Sequence, residues 1–479
     1  MDVCAEGAAR SGFVARNRRF RTKASTAKRS GSVDSRLVNE AWLDELAEFI
    51  RIPSVSADPA HRDDVARAAE WVADYVRAAG GSAELVPTDK QPLMIGELPA
   101  SNGAADAPTV LVYGHFDVQP PAPLELWESE PFELDVRGEW AYGRGITDDK
   151  GNLWLLLRGA SELARAGALP VNLRFACDGE EEIGGTSIVK WLAADDQGAD
   201  ACLIFDGGFA ERGVPAFGIA TRGLVAFDIE VRTGDRDLHS GLYGNAALNA
   251  THALMQTLGG ILPRDGRLPE PLREGAQQPT DEERAAWAKL RDGRTILAEA
   301  GARPYDEAGA DEYYLRTTAE PSVDVNGILG GKPGLRNTTL PVYAEANFTI
   351  RLAPGQRVEP IARAAEKLLR EAAPAHAEVT IKQDDSADPA LFAPDLPVIK
   401  LAQDAFEEVI GVRPLLLRSG GTLPIMPALA EKGMPTVLAG FGLEESNIHS
   451  PNERFLVEYF PLGVETAKRL FVKLGQLPR

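Results

Sequence analysis

Cysteine is scarce: Cys4, Cys177 and Cys202 are the only three in 479 residues. Thiols so few and so scattered exclude a disulfide framework and a Cys-rich zinc site, and they fit a reducing cytoplasm. Long apolar runs are missing too, because Gly, Pro or charge interrupts every hydrophobic stretch before the ~20 residues a membrane helix needs. Positive charge is in deficit, with 51 Lys and Arg against 71 Asp and Glu and a net charge of −20. That balance repels phosphate backbones and anionic lipid, so neither nucleic acid nor a membrane surface is expected as a partner. No Gly-x-Ser-x-Gly turn is present, which removes the serine hydrolases built on that elbow.

The chain is longer than one hydrophobic core usually organises, so two domains are expected. Residues 1–36 stand apart: Arg10, Arg16, Arg18, Arg19, Arg21, Lys23, Lys28 and Arg29 lie among Ser, Ala and Gly with almost no large apolar side chains. Such a basic segment is predicted to be a disordered tail. The Arg18-Arg19 pair is not followed by the apolar stretch an export signal requires.

Helical spacing begins at Trp42, Leu43, Leu46, Phe49 and Ile50, and Pro53 closes that segment. A second helix is predicted over 65–79, ended by Gly80-Gly81, and then a buried strand over 109–113. Two more units follow, helix 152–166 with strand 171–177 and helix 187–194 with strand 201–205. Strands alternating with helices predict an α/β fold with a mixed, largely parallel sheet flanked by helices. After Gly207-Gly208 strand-like alternation recurs without an intervening helix, at 216–219 and 224–232. A second unit is therefore predicted to start near Val214, with a helix at 246–258, a polar stretch at 263–320, strands at 343–352 and 378–382 and a helix at 359–371. The helix and strand texture resumes at 395–397 and ends in an amphipathic helix over 461–474. The expected plan is a catalytic domain of 37–213 and 396–479 with an α+β unit, 214–395, inserted into it.

Ligands of open α/β sheets gather beyond the C-terminal ends of the strands, and every such end here is polar. In order they are Gly-His-Phe-Asp (114–117), Gly-Ile-Thr-Asp-Asp-Lys-Gly (145–151), Asp-Gly-Glu-Glu-Glu-Ile-Gly (178–184) and Phe-Asp-Gly-Gly (205–208), with Asn-Ile-His-Ser-Pro (447–451) near the C-terminus. Imidazole and carboxylate oxygen are the donors that zinc, manganese or cobalt accept, and a two-metal site needs a carboxylate that can bridge. His115 and Asp206 suit one ion, Glu182 and His449 the other, with Asp148 between them. Adjacent Glu181 and Glu182 repel unless a cation offsets them, so one is read as a ligand and its neighbour as a base. Each loop alone is an ordinary turn or helix start; five of them at successive sheet positions are not.

With those blocks in view, the chain resembles the aminoacylase and carnosinase family of di-metal peptidases. Gly-His-Phe-Asp-Val (114–118), Gly-Arg-Gly-Ile-Thr-Asp-Asp-Lys-Gly (143–151), Glu-Glu-Ile-Gly (181–184), Asp206, Asp-Leu-His-Ser-Gly (237–241) and Ile-His-Ser (448–450) carry the likeness, which runs from about Val38 to the end. It implies a zinc-exopeptidase-like catalytic domain, two divalent ions per subunit, zinc first with manganese or cobalt as alternatives, and a lid that also forms a homodimer. It further implies that Asp117 orients His115, that Glu181 is the general base, and that a cis peptide follows the bridging aspartate, at Asp148–Asp149. From the inserted unit, His239 is implied to reach across the dimer to the oxyanion, and Arg351 to grip a substrate carboxylate. Thr338 and Thr422 align with substrate-contacting hydroxyls; Thr422 replaces the family's usual serine, and Ser419 stands where a glutamate is common. The long insertion and the Gly-Gly-Thr-Leu-Pro loop (420–424) are closer to the carnosinase-like dipeptidases than to the deacylases of acetylornithine or succinyl-diaminopimelate, which remain the alternative. A binding protein that has lost catalysis would lack a ligand or the base, and none is missing.

Overall fold

The structure is a computed structural model, which describes residues 40–101, 106–332, 334, 337–421 and 423–478. The basic segment 1–36, Cys4 and Thr422 lie outside the described residues. Among the described residues no helix is long and apolar enough to cross a membrane.

The helix Glu40–Ile50 turns Leu46, Phe49 and Ile50 inward, and Phe49 stacks on Trp71 with ring centroids 4.1 Å apart. Helix Arg62–Ala78 opens with Asp63 and Asp64, which suit its positive N-terminal end, and buries Val65, Ala68, Ala69, Val72, Ala73 and Val76 on one stripe. Helix Lys150–Arg165 is buried almost all round, because Tyr459–Leu474 crosses it on the side away from the sheet. Glycine allows that crossing: a Cβ on Gly159 would sit 2.8 Å from the Ala467 Cβ, and one on Gly463 would sit 2.4 Å from Leu155.

These helices cover a ten-stranded sheet. Its main path runs Ser82–Val86, Leu93–Leu98, Asn172–Asp178, Thr109–His115, Ala201–Ile204, Thr436–Leu438, Val214–Thr221 and Ala390–Leu391, with Leu415–Arg418 and Phe209–Glu211 also paired to Val214–Thr221. The four middle strands, from Asn172–Asp178 to Thr436–Leu438, are mutually parallel, and antiparallel pairs flank them. Along Thr109–His115, Val110 and Val112 join the core under these four helices and Pro397–Ile410. Leu111 and Tyr113 join a second core under Thr186–Ala194 and Ile425–Glu431. Both faces are dry, which explains the unbroken apolar run in a strand whose side chains alternate.

The inserted unit is a four-stranded antiparallel sheet, ordered Ser322–Leu329, Tyr343–Leu352, Gly223–Arg232, Glu378–Ala387. Its inner residues Val225, Phe227, Ile229, Val231, Ala344, Phe348 and Ile350 pack with side chains of Ala250–Leu258 and Val358–Ala372. Phe227 and Phe348 are direct cross-strand partners, stacked at 5.0 Å. The fold is thus the expected mixed α/β sheet with a smaller α+β unit. The expected start of that unit at 214 differs from the pairing seen: Val214–Thr221 runs in the large sheet against Leu415–Arg418 and Thr436–Leu438, and the smaller sheet begins at Gly223. Partners two hundred residues downstream leave no local trace, so in the sequence the strand groups with 224–232, from which no helix separates it.

Candidate metal centre

The parallel strands end side by side, and the polar loops beyond them converge. His115 closes Thr109–His115, and its Nε2 lies 3.0 Å from the Asp148 Oδ1. His115, Asp148 and Asp206 each offer a ligand atom within 4.8 Å of the others, and so do Asp148, Glu182 and His449. Asp148 is common to both groups. His449 Nε2 is 2.8 Å from the Asp148 Oδ2 and 3.2 Å from the Glu182 Oε2. The side chains of His115 and Glu182 are buried while His449 is half exposed, so the second group faces the solvent side of the cleft. The Asp148–Asp149 peptide is cis.

Carboxylates hold this arrangement from behind. Asp117 accepts the backbone N–H of Glu181 at 3.2 Å and of Glu182 at 3.1 Å, which fixes the turn that presents both side chains. The same carboxylate lies 3.4 Å from the His115 Nδ1. Asp178 accepts the N–H of Glu180 at 3.0 Å, so three successive amides in this turn are each tied to a carboxylate. Gln119 donates to the Glu182 Oε2 at 2.8 Å.

Negative charge is crowded here. Burial, reinforced by Asp148 and opposed by His115, raises Asp206 well above the ordinary carboxylate range. Burial also pushes Glu181 up to about 7, with His115 opposing and Glu182, Asp148 and Asp117 adding to it. Burial works to raise Asp148, but hydrogen bonds from His115 and His449 overcome it and hold that carboxyl below its usual range. His115 is raised despite its burial, by hydrogen bonds to Asp117 and Asp148. Glu182 Oε1 is buried without a hydrogen-bond partner. Two imidazoles and three carboxylates, one of them with an orphaned oxygen, form a donor set that two divalent cations would satisfy.

Loading a cation then has a proton cost. Hydrogen bonds to Asp148 and then Glu182 raise His449 to about 10, so at neutral pH its ring is protonated in the metal-free protein, whereas a ligand must be neutral. Its pKa is raised, so the proton is held throughout the range below about 10, and affinity for a cation falls as pH falls. Zinc titrated into metal-free protein at neutral pH is expected to release at least one proton. The check is calorimetry in buffers of different ionisation enthalpy; an observed enthalpy that does not change with buffer rules the reading out.

Other residues picked out in the sequence lie elsewhere. His239 is exposed, in a two-residue ladder whose register pairs it with Thr339, and its Nδ1 accepts from the Gly241 N–H. Thr338 is next to that ladder, its carbonyl accepting from the Ser240 N–H at 2.7 Å. Arg351 sits on Tyr343–Leu352, paired in register with Leu224 and Ser322. These three share the inserted unit, not the metal cleft. A cavity of about 940 Å³ opens at the other end of the parallel strands, beside Thr109, Asn172 and Asp200. Its one buried cation, Arg174, is already held by Asp195 at 2.8 Å, so it offers no competing chemistry.

Three contributors were not apparent in the sequence. Asp149 is buried, its Oδ2 accepting the His115 N–H at 3.2 Å. Glu453, fully buried, accepts the N–H groups of Gly145, Thr147 and Asp148, and Arg144 pairs with it at 2.7 Å. The only hint of Glu453 was a charged residue straight after the turn-forming Ser-Pro-Asn that follows His449.

The chain is similar to known proteins along most of its length. The cysteinylglycine-S-conjugate dipeptidase of Corynebacterium striatum is 28% identical over 427 residues, covering 86% of this chain and 91% of its own. The human Beta-Ala-His dipeptidase is 26% identical over 471 residues, covering 92% and 91%. An M20 family metallo-carboxypeptidase from Sulfolobus solfataricus superposes with a TM-score of 0.79 at 25% identity, over 91% of this chain and 99% of that one. The family model for peptidase family M20/M25/M40 matches residues 111–473, a span that contains all five clustered donor residues, and the chain belongs to that family.

Proposed function

We propose that this protein is a metal-dependent dipeptidase that holds two divalent cations on His115, Asp148, Asp206, Glu182 and His449. The observation that carries the reading is the pair of three-donor groups sharing Asp148, with the half-buried Glu181 beside them. Zinc is the first choice for this donor set, with manganese and cobalt as alternatives. When bound, the ions supply Lewis acidity toward the scissile carbonyl.

The side chains do the rest. Glu181 takes a proton from the attacking water and delivers it to the leaving amine, a task suited to a carboxyl whose pKa has been lifted toward neutrality. Asp117 keeps Glu181 and Glu182 in register through their amides. Relatives named as dipeptidases support a small peptide with a free carboxylate as substrate, and Arg351 is the proposed grip on that carboxylate, where a bidentate guanidinium outperforms an ammonium. Thr338 and Thr422 are proposed as hydroxyl contacts. His239 is proposed to complete the site of a second copy, which makes the enzyme a homodimer through the inserted unit, and its compartment is proposed to be the cytoplasm.

The test is hydrolysis of free dipeptides, C-terminally amidated dipeptides and N-acetyl or N-succinyl amino acids by metal-stripped protein, before and after zinc or manganese. Metal-restored cleavage of free dipeptides is expected. Cleavage confined to N-acyl amino acids moves the chain to the deacylases, and no metal-dependent turnover at all removes the enzyme reading. In the same assay Arg351→Lys is expected to raise KM for free dipeptides roughly 10- to 100-fold, the value of one charge-assisted contact, with little change for the amidated ones.

A further inference from the structure

We propose that Arg144 and Glu453 are a positioning pair for the cation site: they set the placement of the Asp148 backbone and of the His449 loop together, and so set the affinity of both cation positions. The inference rests on the metal reading above.

Glu453 is completely buried and Arg144 is 1% exposed. One carboxylate oxygen of Glu453 accepts from Thr147 N at 2.9 Å and Asp148 N at 3.1 Å. The other accepts from Gly145 N at 2.9 Å and from the Arg144 Nη1 at 2.7 Å. The turn that delivers Asp148 thus points three amides at a single side chain. Nearby, the Thr147 hydroxyl donates to the Arg454 carbonyl at 2.9 Å, and the Gly143 N–H donates to the Glu453 carbonyl at 3.0 Å. Arg144 uses its second terminal nitrogen on the carbonyls of Ser450, at 3.3 Å, and Pro120, at 3.5 Å. Ser450 follows His449, and Pro120 lies in the loop that leaves His115 and Asp117. One ion pair therefore touches three ligand-bearing loops.

Stability alone is a poor reason for such a pair, since burying two charges is costly and well-packed apolar residues of the same volume often do as well. What apolar residues cannot supply is direction. Four donors on one carboxylate fix the peptide orientation before Asp148, and outer partners of this kind tune the ligands they orient. The molecule holds a comparison within itself. Arg418 and Glu283 form another buried Arg–Glu pair, at 2.6 Å, but their further contacts are the carbonyls of Gln277 and Gln278 and the Thr280 amide. None of these belongs to a ligand loop.

The experiment is zinc titration of the metal-free full chain against a competing chelator, for wild type, Glu453→Gln, Arg144→Lys and Glu283→Gln, with circular dichroism and a thermal melt of each metal-free protein. Gln keeps the volume of Glu453 but loses one acceptor side; Lys keeps the charge of Arg144 but cannot span its three partners. Wild type is expected to bind two zinc ions, and both site variants to bind them roughly 10- to 100-fold more weakly, while Glu283→Gln binds as wild type does even where its melt is lowered. Should Glu453→Gln fail to fold, Arg144→Lys decides. Wild-type zinc affinity in the folded site variants overturns the inference, and so does an equal loss in Glu283→Gln at equal destabilisation. Absence of zinc, manganese or cobalt binding by the unmodified chain overturns the metal reading itself, and is distinguished by appearing in wild type.

Discussion

Glu181→Gln is expected to lower kcat on the best dipeptide by about 10³-fold, within the range that general acid-base groups supply, while KM and bound metal stay as in wild type. The substitution keeps size and polarity and removes only the ability to carry a proton. The local geometry should survive, because the turn is held through the backbone amides of residues 181 and 182 by Asp117 and not through the Glu181 side chain. The pH profile provides a second readout. Burial raises Glu181 to about 7 in the metal-free protein, and bound cations favour its charged form, which brings the value back down. Its active form is the carboxylate, so the wild-type rate should fall as pH drops through an acid limb below 7, and Glu181→Gln should lose that limb. Steady-state kinetics across pH checks both points. A variant within tenfold of wild type, with the limb intact, means that another group carries the proton.

Asp148→Ala should be as damaging to activity and should weaken the metal-free fold as well. Asp148 is the shared corner of both donor groups, so its loss opens both, and metal stoichiometry measured on the purified variant should fall below two per chain. Activity should drop by about 10³-fold, equivalent to roughly 4 kcal/mol of transition-state stabilisation. Without metal, however, Asp148 is one of several like charges that push up Asp206 and Glu181. Removing it relieves that repulsion but also takes from buried His115 and from His449 the hydrogen-bonded partner that is held below its usual range, so at neutral pH the metal-free variant should melt lower than metal-free wild type, and the rise in melting temperature that zinc gives wild type should be absent. Two tightly bound ions in Asp148→Ala, with a normal zinc-induced rise, would remove Asp148 from its bridging place.

The ligand candidates were legible in the sequence for a physical reason. His115 ends a buried strand and Glu182 and Asp206 follow one closely, so all three are marked by the abrupt change from apolar to polar; Asp148 follows no strand of the large sheet and was marked by its Asp-Asp-Lys-Gly loop instead. The groups that orient them carry no such mark. Glu453 acts on Asp148 from the far end of the chain, and Arg144 looks like any arginine in a glycine-rich turn, although it is nearly inaccessible. Burial of a charge is a tertiary fact, and only the pairing partner explains it. The misplaced start of the inserted unit has the same origin. Val214–Thr221 has good strand texture, but whether it belongs to the large or the small sheet depends on Leu415–Arg418 and Thr436–Leu438. Within the inserted unit, where partners are closer along the chain, Tyr343–Leu352 was read with its observed limits.

The neighbours Ala201–Ile204 and Thr436–Leu438 bear on how the protein is made. They are adjacent parallel strands, with Cys202 beside Thr436, yet the whole inserted unit is translated between them. Contacts so distant in sequence form slowly, since a long loop must close before they stabilise anything. On the ribosome, the first half of the large sheet must wait with the Ala201–Ile204 edge unpaired while the smaller antiparallel sheet, whose partners are nearer one another, can already assemble. His449 and Glu453 emerge later still, after Thr436–Leu438. Until they are made, the chain holds His115, Asp148, Glu182 and Asp206 without the fifth donor proposed for the cation site or its support.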